Sequence, residues 1–285
     1  MFLLVDKPYW ITSFDVLRDI RKKYTTKKVG HTGTLDPLAT GLLLIATEWS
    51  TKLIPEVNTA KKRYTCTVRF DGKSDSLDAG TEITPTDCSW FQERSIEELT
   101  EFLLHQKKQM PPKYSALHIG WKRAYDLAQK GESFELNERT IEVSDVLIES
   151  TDFPISITLS LTLSSGAYVR SFAPILWSFF DVAGWYISML RRTHIYLENG
   201  VTLNEDMIKN FDVISEIPYS TLFPTIHTIK ISEYEYINAL NWANLILWNS
   251  ATPKMGDRYF LKYKNKIVSL CIFNGETYTI LKNKI

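Results

Sequence analysis

The residues best suited to covalent chemistry in this 285-residue sequence lie in one glycine-rich segment around Asp36. Residues 29–41 read VGHTGTLDPLATG, so a proline follows Asp36 and three glycines flank it. These residue types predict a shaped loop rather than a helix or a strand. A carboxylate held in such a loop can act as a nucleophile and split one difficult reaction into two easier steps. The alternative is structural, because an Asp-Pro pair in a glycine-rich loop is more often a turn or a helix cap.

Several other chemistries have no support in the sequence. It lacks the glycine motifs that bind phosphates or dinucleotides, the Gly-x-Ser-x-Gly nucleophile motif and the His-Glu-x-x-His zinc motif. The five histidines and three cysteines are scattered without the spacing of metal ligands. We therefore expect no metal and no organic cofactor, and the isolated cysteines indicate a reducing compartment.

Composition narrows the class of protein further. The sequence has 33 basic and 33 acidic residues and a formal net charge of zero, which is unusual for a nucleic-acid binder. Electrostatic binding depends on where the charges lie, so this balance does not exclude one. No apolar run approaches the roughly 18 residues that a membrane span needs. Because the opening residues are also too short for a secretion signal, we expect a cytoplasmic protein without membrane contact.

The Asp36 segment is one of eight short sequence blocks that follow one another along the chain. They are DKP with TS (6–8 and 12–13), GHTGTLDPLATG (30–41), STK (50–52), KRY (62–64), QMPPKYSAL (109–117), RAYDLA (123–128), AYVRS (167–171) and LRRT (190–193). In content and order these blocks resemble the TruB family of tRNA pseudouridine-55 synthases of the bacterial type. The resemblance covers most of residues 6–193, and the dozen-residue block around Asp36 is highly specific.

The resemblance implies catalytic roles for three residues. Asp36 corresponds to the aspartate that attacks the target nucleotide, or at least assists detachment of its base. Arg170 corresponds to the arginine that pairs with this aspartate, a task that suits a bidentate guanidinium. Tyr64 corresponds to the tyrosine that stacks on the extruded base, which replaces stacking lost when the base leaves its helix.

Further residues of the blocks are implied to surround the substrate. His31 matches the histidine that inserts into the T-loop and helps to displace the target, and three more residues match positions around the pocket, namely Lys7, Tyr168 and Leu190. Without the resemblance, Tyr64, Tyr168 and Leu190 would be interpreted as core residues, and Lys7 and Arg170 as surface charges.

A basic cluster in the sequence lies close to these blocks. We predict phosphate contacts from Arg18, Lys22 and Lys62, because RNA binding depends on cations placed along the backbone. The cluster also contains Arg21, Lys27, Lys28, Lys61 and Arg63. For the helical members, the alternative is an ordinary solvated helix face.

Local patterns predict the elements that must position these residues. A capping box formed by Thr12 and Asp15 predicts a helix over about residues 13–24. Its buried side chains are predicted to be Leu17, Ile20 and Tyr24. A second capping box, Ser95 with Glu98, predicts another helix. The buried face of that helix is predicted to carry Ile96, Leu99 and Leu103.

Strands are predicted from alternation. Residues 64–70 alternate in this way, and residues 155–164 alternate so regularly that one buried and one solvent-exposed face are expected. Residues 71–81 are polar and predicted to be a loop. An apolar helix is predicted from about residue 171 to 182. The tail from about residue 258 has short strands and an Asn274-Gly275 hairpin signal.

Together, these patterns and the resemblance predict an α+β protein with the pseudouridine synthase fold. We expect a mixed, largely antiparallel sheet in a catalytic domain over residues 1–222. A small β-rich module that resembles, faintly, a PUA-like RNA-binding domain is expected over residues 223–285.

Five tryptophans depart from the family pattern. Trp10, Trp121, Trp177, Trp185 and Trp242 stand where the family has glycine or where glycine is expected. Glycine at such positions supplies backbone conformations or clearance that an indole does not. We hypothesise that some or all of these tryptophans are encoded by UGA codons that the native host reads as glycine. The alternative is a divergent enzyme that tolerates bulky residues at loop edges.

The resemblance implies that the protein isomerises uridine-55 in the tRNA T-loop, by base flipping and an aspartate nucleophile. The expected partner is the T-arm of tRNA, and we expect a monomer without an obligate protein partner. One alternative is the RNA-guided relative that modifies ribosomal RNA in a multi-protein particle, but its lysine-rich extensions are missing from this sequence. A second alternative is an RNA-binding protein without catalysis, which the tryptophans would favour if they are genuine.

Overall fold

The computed structural model of the chain describes residues 1–90, 92, 94–115, 117–208, 214–247, 253–264 and 266–283. A large sheet forms its centre. The main path of this sheet runs in the order β11 (Val143–Asp152), β12 (Ser156–Ser164), β4 (Thr59–Arg69), β13 (Trp185–Leu197), β3 (Thr40–Thr47), β1 (Phe2–Lys7) and β15 (Ile214–Ile217). Beside the path lie β2 (Val29–His31), β5 (Gly72–Asp78), β6 (Ile83–Pro85) and β14 (Thr202–Asn204).

The strand directions confirm the predicted fold class. Among the described strands of this sheet, β13 pairs in parallel with β3 and with β5, and the other pairs are antiparallel. The sheet is therefore mixed and largely antiparallel. The described α-helices are α1 (Ser13–Lys23), α2 (Ile96–Leu104), α3 (Ala124–Gln129), α4 (Phe172–Phe180), α5 (Tyr219–Leu222) and α6 (Glu233–Leu240). Short 3-10 helices lie at Glu48–Glu56, Val169–Ser171 and Glu205–Met207. Two short strand pairs lie outside the large sheet: β7 (Lys108–Gln109) with β10 (Arg139–Thr140), and β8 (His118–Ile119) with β9 (Lys122–Arg123).

Both predicted capping boxes are present, and both helices begin where the boxes indicate. The Thr12 hydroxyl accepts from the Asp15 amide, and the Asp15 carboxylate accepts from the Thr12 amide. The prediction for Tyr24 was wrong, because α1 ends at Lys23 and Tyr24 is its exposed cap. Ile96 was likewise wrongly assigned to the buried face of α2. It is the first residue of its helix, where less of the side chain is covered by the sheet.

Two strand predictions need correction. The expected solvent face of β12 is partly covered by side chains of the neighbouring strands β11 and β4. Ser160 is 1% exposed; its hydroxyl shares a hydrogen bond with the Thr65 hydroxyl of β4 and donates to the Glu149 carboxylate of β11. The polar segment 71–81 is not simply a loop, since it contains β5. Its buried side chains, Ser74, Ser76 and Asp78, are polar, so the alternation did not appear as an apolar pattern.

The C-terminal strands form a sheet of their own, as predicted. Its order is β16 (His227–Lys230), β17 (Arg258–Tyr263), β18 (Lys266–Phe273) and β19 (Tyr278–Asn283). The predicted hairpin joins β18 to β19: Asn274 accepts from the Thr277 amide at 2.8 Å, and Gly275 has φ +103°. Such a left-handed conformation favours glycine. The prediction of a β-rich C-terminal module is therefore confirmed.

Aromatic packing links this module to the central sheet. Phe260 of β17 contacts Tyr219 and Phe223 edge-on, at ring-centroid distances of 5.8 and 5.5 Å, and both of these rings also contact Phe2 of β1. Strand pairing changes near residue 223, whereas the apolar core runs across that point. The division into residues 1–222 and 223–285 stays a prediction.

The five unusual tryptophans fall into two groups. Trp10 and Trp242 have φ of 61° and 60°, in the left-handed region that favours glycine, and both side chains are exposed. Trp121 is fully exposed, and the rings of Trp177 and Trp185 pack on each other with centroids 4.9 Å apart. The backbone thus supports a glycine preference at two positions, and none of the other three has a positive φ.

No helix within the described ranges is long and apolar enough to cross a membrane.

Candidate active site

A cavity of about 280 Å³ opens at the Asp36 loop, beside β4 and β13. It is lined by Gly33, Thr34, Leu35, Asp36, Lys62, Tyr64, Ser115, Ser164, Gly166, Ala167, Tyr168, Val169, Arg170, Leu190 and Arg192. Residues from distant parts of the sequence therefore meet in one place. Six of the predicted site residues are among them, namely Asp36, Lys62, Tyr64, Tyr168, Arg170 and Leu190.

Asp36 and Arg170 form the ion pair that the resemblance implied. Arg170 Nη2 donates to Asp36 Oδ1 at 2.9 Å, and Nε lies 2.9 Å from Oδ2 without the alignment of a hydrogen bond. The Arg170 side chain is 5% exposed, whereas Asp36 exposes 32% of its own. The reading of Arg170 as a surface charge is therefore wrong. The arginine holds the carboxylate from inside the protein and leaves it open to the cavity.

A second carboxylate lies behind this pair. Asp78, at the end of β5, is buried and places Oδ2 3.6 Å from Arg170 Nε. Its Oδ1 accepts from the Ser76 hydroxyl at 2.6 Å and from the Gly80 amide at 2.9 Å. Arg170 also donates to the carbonyls of Ser76 and Tyr114. One guanidinium thus joins two carboxylates and two chain segments, so its orientation is fixed.

These surroundings determine the protonation behaviour of Asp36. Burial, the largest influence, raises the pKa of Asp36 above its ordinary value, and the negative charge of Asp78 raises it further. Arg170 and, more weakly, Lys7 act in the opposite direction. Arg170 thus favours the ionised carboxylate, whereas the desolvating environment opposes it, and the net result is a more basic group than an aspartate in water.

Lys7 of the DKP block holds the loop that carries Asp36 by hydrogen bonds. Lys7 is fully buried, and its ammonium donates to the carbonyls of Pro8, Ile11 and Pro37 at 2.9, 2.7 and 3.1 Å. Lys7 is therefore not a surface charge, and it lies behind the loop rather than among the residues that line the cavity. Burial lowers its pKa to about 8.

Ser13 holds the other side of the same loop by hydrogen bonds to the Leu35 backbone. This first residue of α1 is 2% exposed, and its hydroxyl accepts from the Leu35 amide at 2.9 Å and contacts the Leu35 carbonyl at 3.0 Å. Leu35 and Pro37 flank Asp36, so Ser13 and Lys7 hold the backbone on both sides of the carboxylate.

The turn that carries Tyr168 and Arg170 is held in a similar way. The buried Gln109 amide accepts from the Tyr168 N–H at 2.5 Å and donates to the Tyr168 carbonyl at 3.3 Å, like a neighbouring strand. The Ser171 hydroxyl donates to the Met110 carbonyl at 2.7 Å. The QMPPKYSAL block therefore supports the arginine rather than contacting Asp36.

Tyr64 and Leu190 form apolar walls of the cavity. Tyr64 lies on β4 and Leu190 on the adjacent β13, and both are largely buried. A ring and an aliphatic side chain placed beside a carboxylate can enclose a flat heterocycle and exclude water. The geometry is compatible both with the predicted stacking role of Tyr64 and with an ordinary packing role.

Arg192 and His31 contact Gly33, at the other end of the Asp36 loop. Arg192 on β13 is 1% exposed and donates to the carbonyls of Leu42 and Gly33 at 2.6 and 3.1 Å. His31 is half-buried, and its Nδ1 accepts from the Gly33 amide at 3.2 Å. Burial, aided by Arg192, lowers the pKa of His31. His31 is outside the set of cavity-lining residues but is attached to the loop that forms the rim.

Arg18 and Lys22 lie away from the cavity, exposed on α1. Arg18 pairs with Asp15 at 3.0 Å. Their placement fits either an outer RNA contact or a solvated helix face. Elsewhere in the described ranges there is no group of three or more His, Cys, Asp or Glu side chains that could hold a metal ion.

A larger cavity of about 420 Å³ lies near the C-terminal module, between residues 56–58, 197–199 and 256–258. Its arginine, Arg258, is already paired with Glu56 at 2.7 Å. None of the predicted site residues lines this cavity, so we assign the chemistry to the Asp36 cavity.

The sequence interpretation missed four residues that complete the site. Asp78 was hidden in a polar segment taken for a loop, although its alternation with Ser74 and Ser76 was a usable signal. Ser13, Gln109 and Arg192 were inside recognised blocks, but their backbone partners are 22 to 159 residues away. No local pattern reveals such partners.

Comparisons with known proteins identify the family of the chain. The model of the TruB family pseudouridylate synthase N-terminal domain matches residues 21–169. A protein named tRNA pseudouridine synthase B from Thermus thermophilus is 40% identical over 148 residues, which are 52% of this chain but 47%, about half, of that protein. Its namesake from Aquifex aeolicus is 32% identical over 251 residues, 87% of each chain.

Solved structures show the same fold at low sequence identity. A chain from the crystal structure of a Cbf5-Nop10-Gar1 complex aligns with a TM-score of 0.59 and 17% identity, over 100% of this chain and 85% of the other. A chain from an archaeal box H/ACA sRNP Nop10-Cbf5 complex aligns with a TM-score of 0.57 and 18% identity, over 100% and 86%. The relatedness predicted from the sequence blocks is confirmed: the chain belongs to the TruB family of pseudouridylate synthases.

Proposed function

We propose that the protein is a tRNA pseudouridine synthase that isomerises uridine-55 in the T-loop, with Asp36 as its nucleophile. The observation that carries this proposal is the Asp36–Arg170 pair, open to a cavity whose walls include Tyr64 and Leu190. The similarity to the Aquifex protein named tRNA pseudouridine synthase B, over 87% of each chain, supports tRNA as the substrate.

The chemistry requires one bond to break and another to form at the same ribose carbon. The bond from uracil N1 to ribose C1′ breaks as the Asp36 carboxylate attacks the nucleotide or assists detachment of the base. The uracil then turns within the cavity, its C5 bonds to C1′, the C5 proton leaves and N1 gains a proton. The product is an isomer of the substrate, so the balance needs no oxidant, reductant or added group.

Each neighbour of Asp36 has a task in this scheme. Arg170 keeps the carboxylate ionised and aimed, and Tyr64 stacks on the flipped uracil. His31 on the rim helps to displace the target, while Tyr168 and Leu190 confine the base. Lys7 acts behind the site, by holding the Asp36 loop. We propose Arg18 and Lys22 as outer phosphate contacts and the C-terminal module as an accessory RNA-binding surface.

We further propose that the protein works in the cytoplasm as a monomer without an obligate protein partner. The test is pseudouridine formation by purified protein alone on an unmodified T-arm hairpin and on full-length tRNA. Product should appear at the T-loop uridine and disappear in Asp36→Asn, while RNA binding survives. Binding without product by the unaltered protein would instead favour an RNA-binding protein without catalysis, and a need for guide RNA would favour the RNA-guided relative.

A further inference from the structure

Two cations in the wall of the active-site cavity have no carboxylate partner within the described part of the chain. The guanidinium of Arg192 uses Nε and Nη2 on backbone carbonyls, and its Nη1 has no hydrogen-bond partner among the described residues. The Lys62 ammonium is bonded to a neutral hydroxyl, Ser165 Oγ, at 3.3 Å. These two groups therefore retain capacity for an anion, unlike Arg170, whose charge already lies between the carboxylates of Asp36 and Asp78.

Both cationic nitrogens converge on one point of the Asp36 loop. A Cβ atom added to Gly33 would lie 3.6 Å from Lys62 Nζ and 3.7 Å from Arg192 Nη1. Gly33, Lys62, Arg192 and Asp36 all line the same cavity. The space in front of Gly33 is thus bounded by two positive charges and open to the substrate.

Two neighbouring cations with restricted access to water repel each other unless an anion lies between them. Burial, as the larger influence, and the charge of Arg192 lower the pKa of Lys62 to about 8. In the substrate, the bases and riboses are neutral at neutral pH, and the anionic group is the phosphodiester. A phosphodiester offers acceptor oxygens to both an ammonium and a guanidinium.

We propose that Lys62 and Arg192 form a subsite for one backbone phosphate of the substrate RNA, next to the nucleotide whose ribose faces Asp36. This inference rests on the proposed function. The two cations lie on adjacent strands, β4 and β13, and the Arg192 guanidinium is fixed by Leu42 and Gly33. A phosphate held there sets the distance between the ribose and the carboxylate.

The experiment is a methylphosphonate scan of a T-arm hairpin, in which one phosphodiester at a time near the target uridine is replaced by a neutral group. Binding is measured for the unaltered protein and for Lys62→Met. One replacement should weaken binding to the unaltered protein about tenfold, the size expected for a charge-assisted contact. Lys62→Met should weaken binding of the unmodified hairpin by a similar factor and abolish the additional effect of that replacement. The slope of log K against log salt should decrease in size by about one.

Two further variants separate this subsite from general effects. Gly33→Ala keeps both charges but puts a methyl group between them, and it should also lose the methylphosphonate effect. Lys122→Met, the same change at an exposed lysine paired with Glu132 at 3.3 Å, should retain it. Equal methylphosphonate effects in the unaltered protein and in Lys62→Met, or no effect at any position, would overturn the subsite. Product formation on the unmodified hairpin is scored separately, so failure of the proposed function is distinguishable.

Discussion

The floor of the active-site cavity and the C-terminal β-module are stabilised by different interactions. Beneath the cavity, Lys7, Asp78, Arg170 and Arg192 are buried ionisable groups, held by hydrogen bonds and ion pairs. The module is instead packed around apolar and aromatic side chains, including Tyr259, Leu261, Cys271, Tyr278 and Ile280.

This difference has a physical meaning. Burying a charge costs free energy even when it is paired, so a fold gains little stability from doing so. Buried charges are typical of sites where a fixed orientation is needed for catalysis. Elsewhere, the burial of apolar side chains supplies most of the free energy of folding. Substitutions beneath the cavity should therefore reduce activity more than expected from their effect on folding. Substitutions in the module should reduce stability but leave the activity of the folded protein nearly unchanged.

The largest effect is expected from Arg170→Met. It removes the cation between Asp36 and Asp78 and leaves the Asp36 carboxylate and two backbone carbonyls without their donor. We expect single-turnover product formation to fall about a thousandfold, and the free energy of unfolding to fall by about 3–5 kcal/mol. Rapid-quench assays and urea unfolding measure the two quantities. If activity fell only in proportion to the fraction of folded protein, Arg170 would serve stability alone, contrary to this expectation.

Phe260→Ala tests the other side of the comparison. It removes the ring that contacts Tyr219 and Phe223, at the junction between the module and the central sheet. The free energy of unfolding should fall by about 3–5 kcal/mol, the usual cost of such a cavity. Under conditions where the variant is folded, its single-turnover rate on a saturating hairpin should stay within about threefold of normal, since the Asp36 cavity is untouched. A thousandfold loss would show that the module is part of the catalytic machinery.

Ser13→Ala sharpens the view of the cavity floor. The variant leaves the amide and carbonyl of Leu35 without their partner, next to Asp36. Loss of about 1–3 kcal/mol of local hydrogen bonding should appear mainly as a decrease in kcat of about tenfold, with KM little changed. Ser178→Ala, at an exposed serine of α4 that bonds the Ile175 carbonyl, is the matched control. Equal effects of the two variants would indicate that Ser13 is merely structural.

Trp10→Gly and Trp242→Gly should stabilise the protein. Both residues occupy left-handed backbone conformations, which strain a tryptophan but not a glycine. The free energy gained by removing this strain exceeds the cost of the greater chain entropy that glycine has in the unfolded state. Each variant should raise the free energy of unfolding by up to about 1 kcal/mol, whereas Trp121→Gly should not. The mass of the protein from its native host tests the recoding hypothesis directly, and intact tryptophan at both positions would end it there.

The smallest effect concerns pH. Asp36 must be ionised to act, and its raised pKa places the acid limb of the rate profile above that of an ordinary aspartate. The charge of Asp78 contributes to this rise, so Asp78→Asn should lower the pKa of Asp36 and move the acid limb to lower pH, even if the plateau rate falls. Single-turnover rates across the acid range measure the shift. Movement to higher pH would mean that Asp78 acts chiefly through Arg170.

Much of the framework could be predicted because it is local. The Thr12–Asp15 and Ser95–Glu98 capping boxes, the regular alternation of β12 and the Asn274-Gly275 turn each depend on residues within a few positions of one another. The failures occurred where tertiary contacts override local pattern. Ser160 is polar yet buried, because side chains of the neighbouring strands, Thr65 and Glu149, lie against it and bond its hydroxyl.

The same distinction applies to the site. The family could be recognised from the sequence, and Asp36, Arg170, Tyr64 and His31 could be predicted as site residues, because they lie in short blocks whose content is specific. Three relations became clear only from the folded protein. Asp78 stands behind Arg170, Lys7 and Ser13 hold the loop on both sides of Asp36, and Lys62 and Arg192 converge on Gly33. These relations join strands far apart in the chain, and their energies depend on burial and distance, which a linear pattern does not contain.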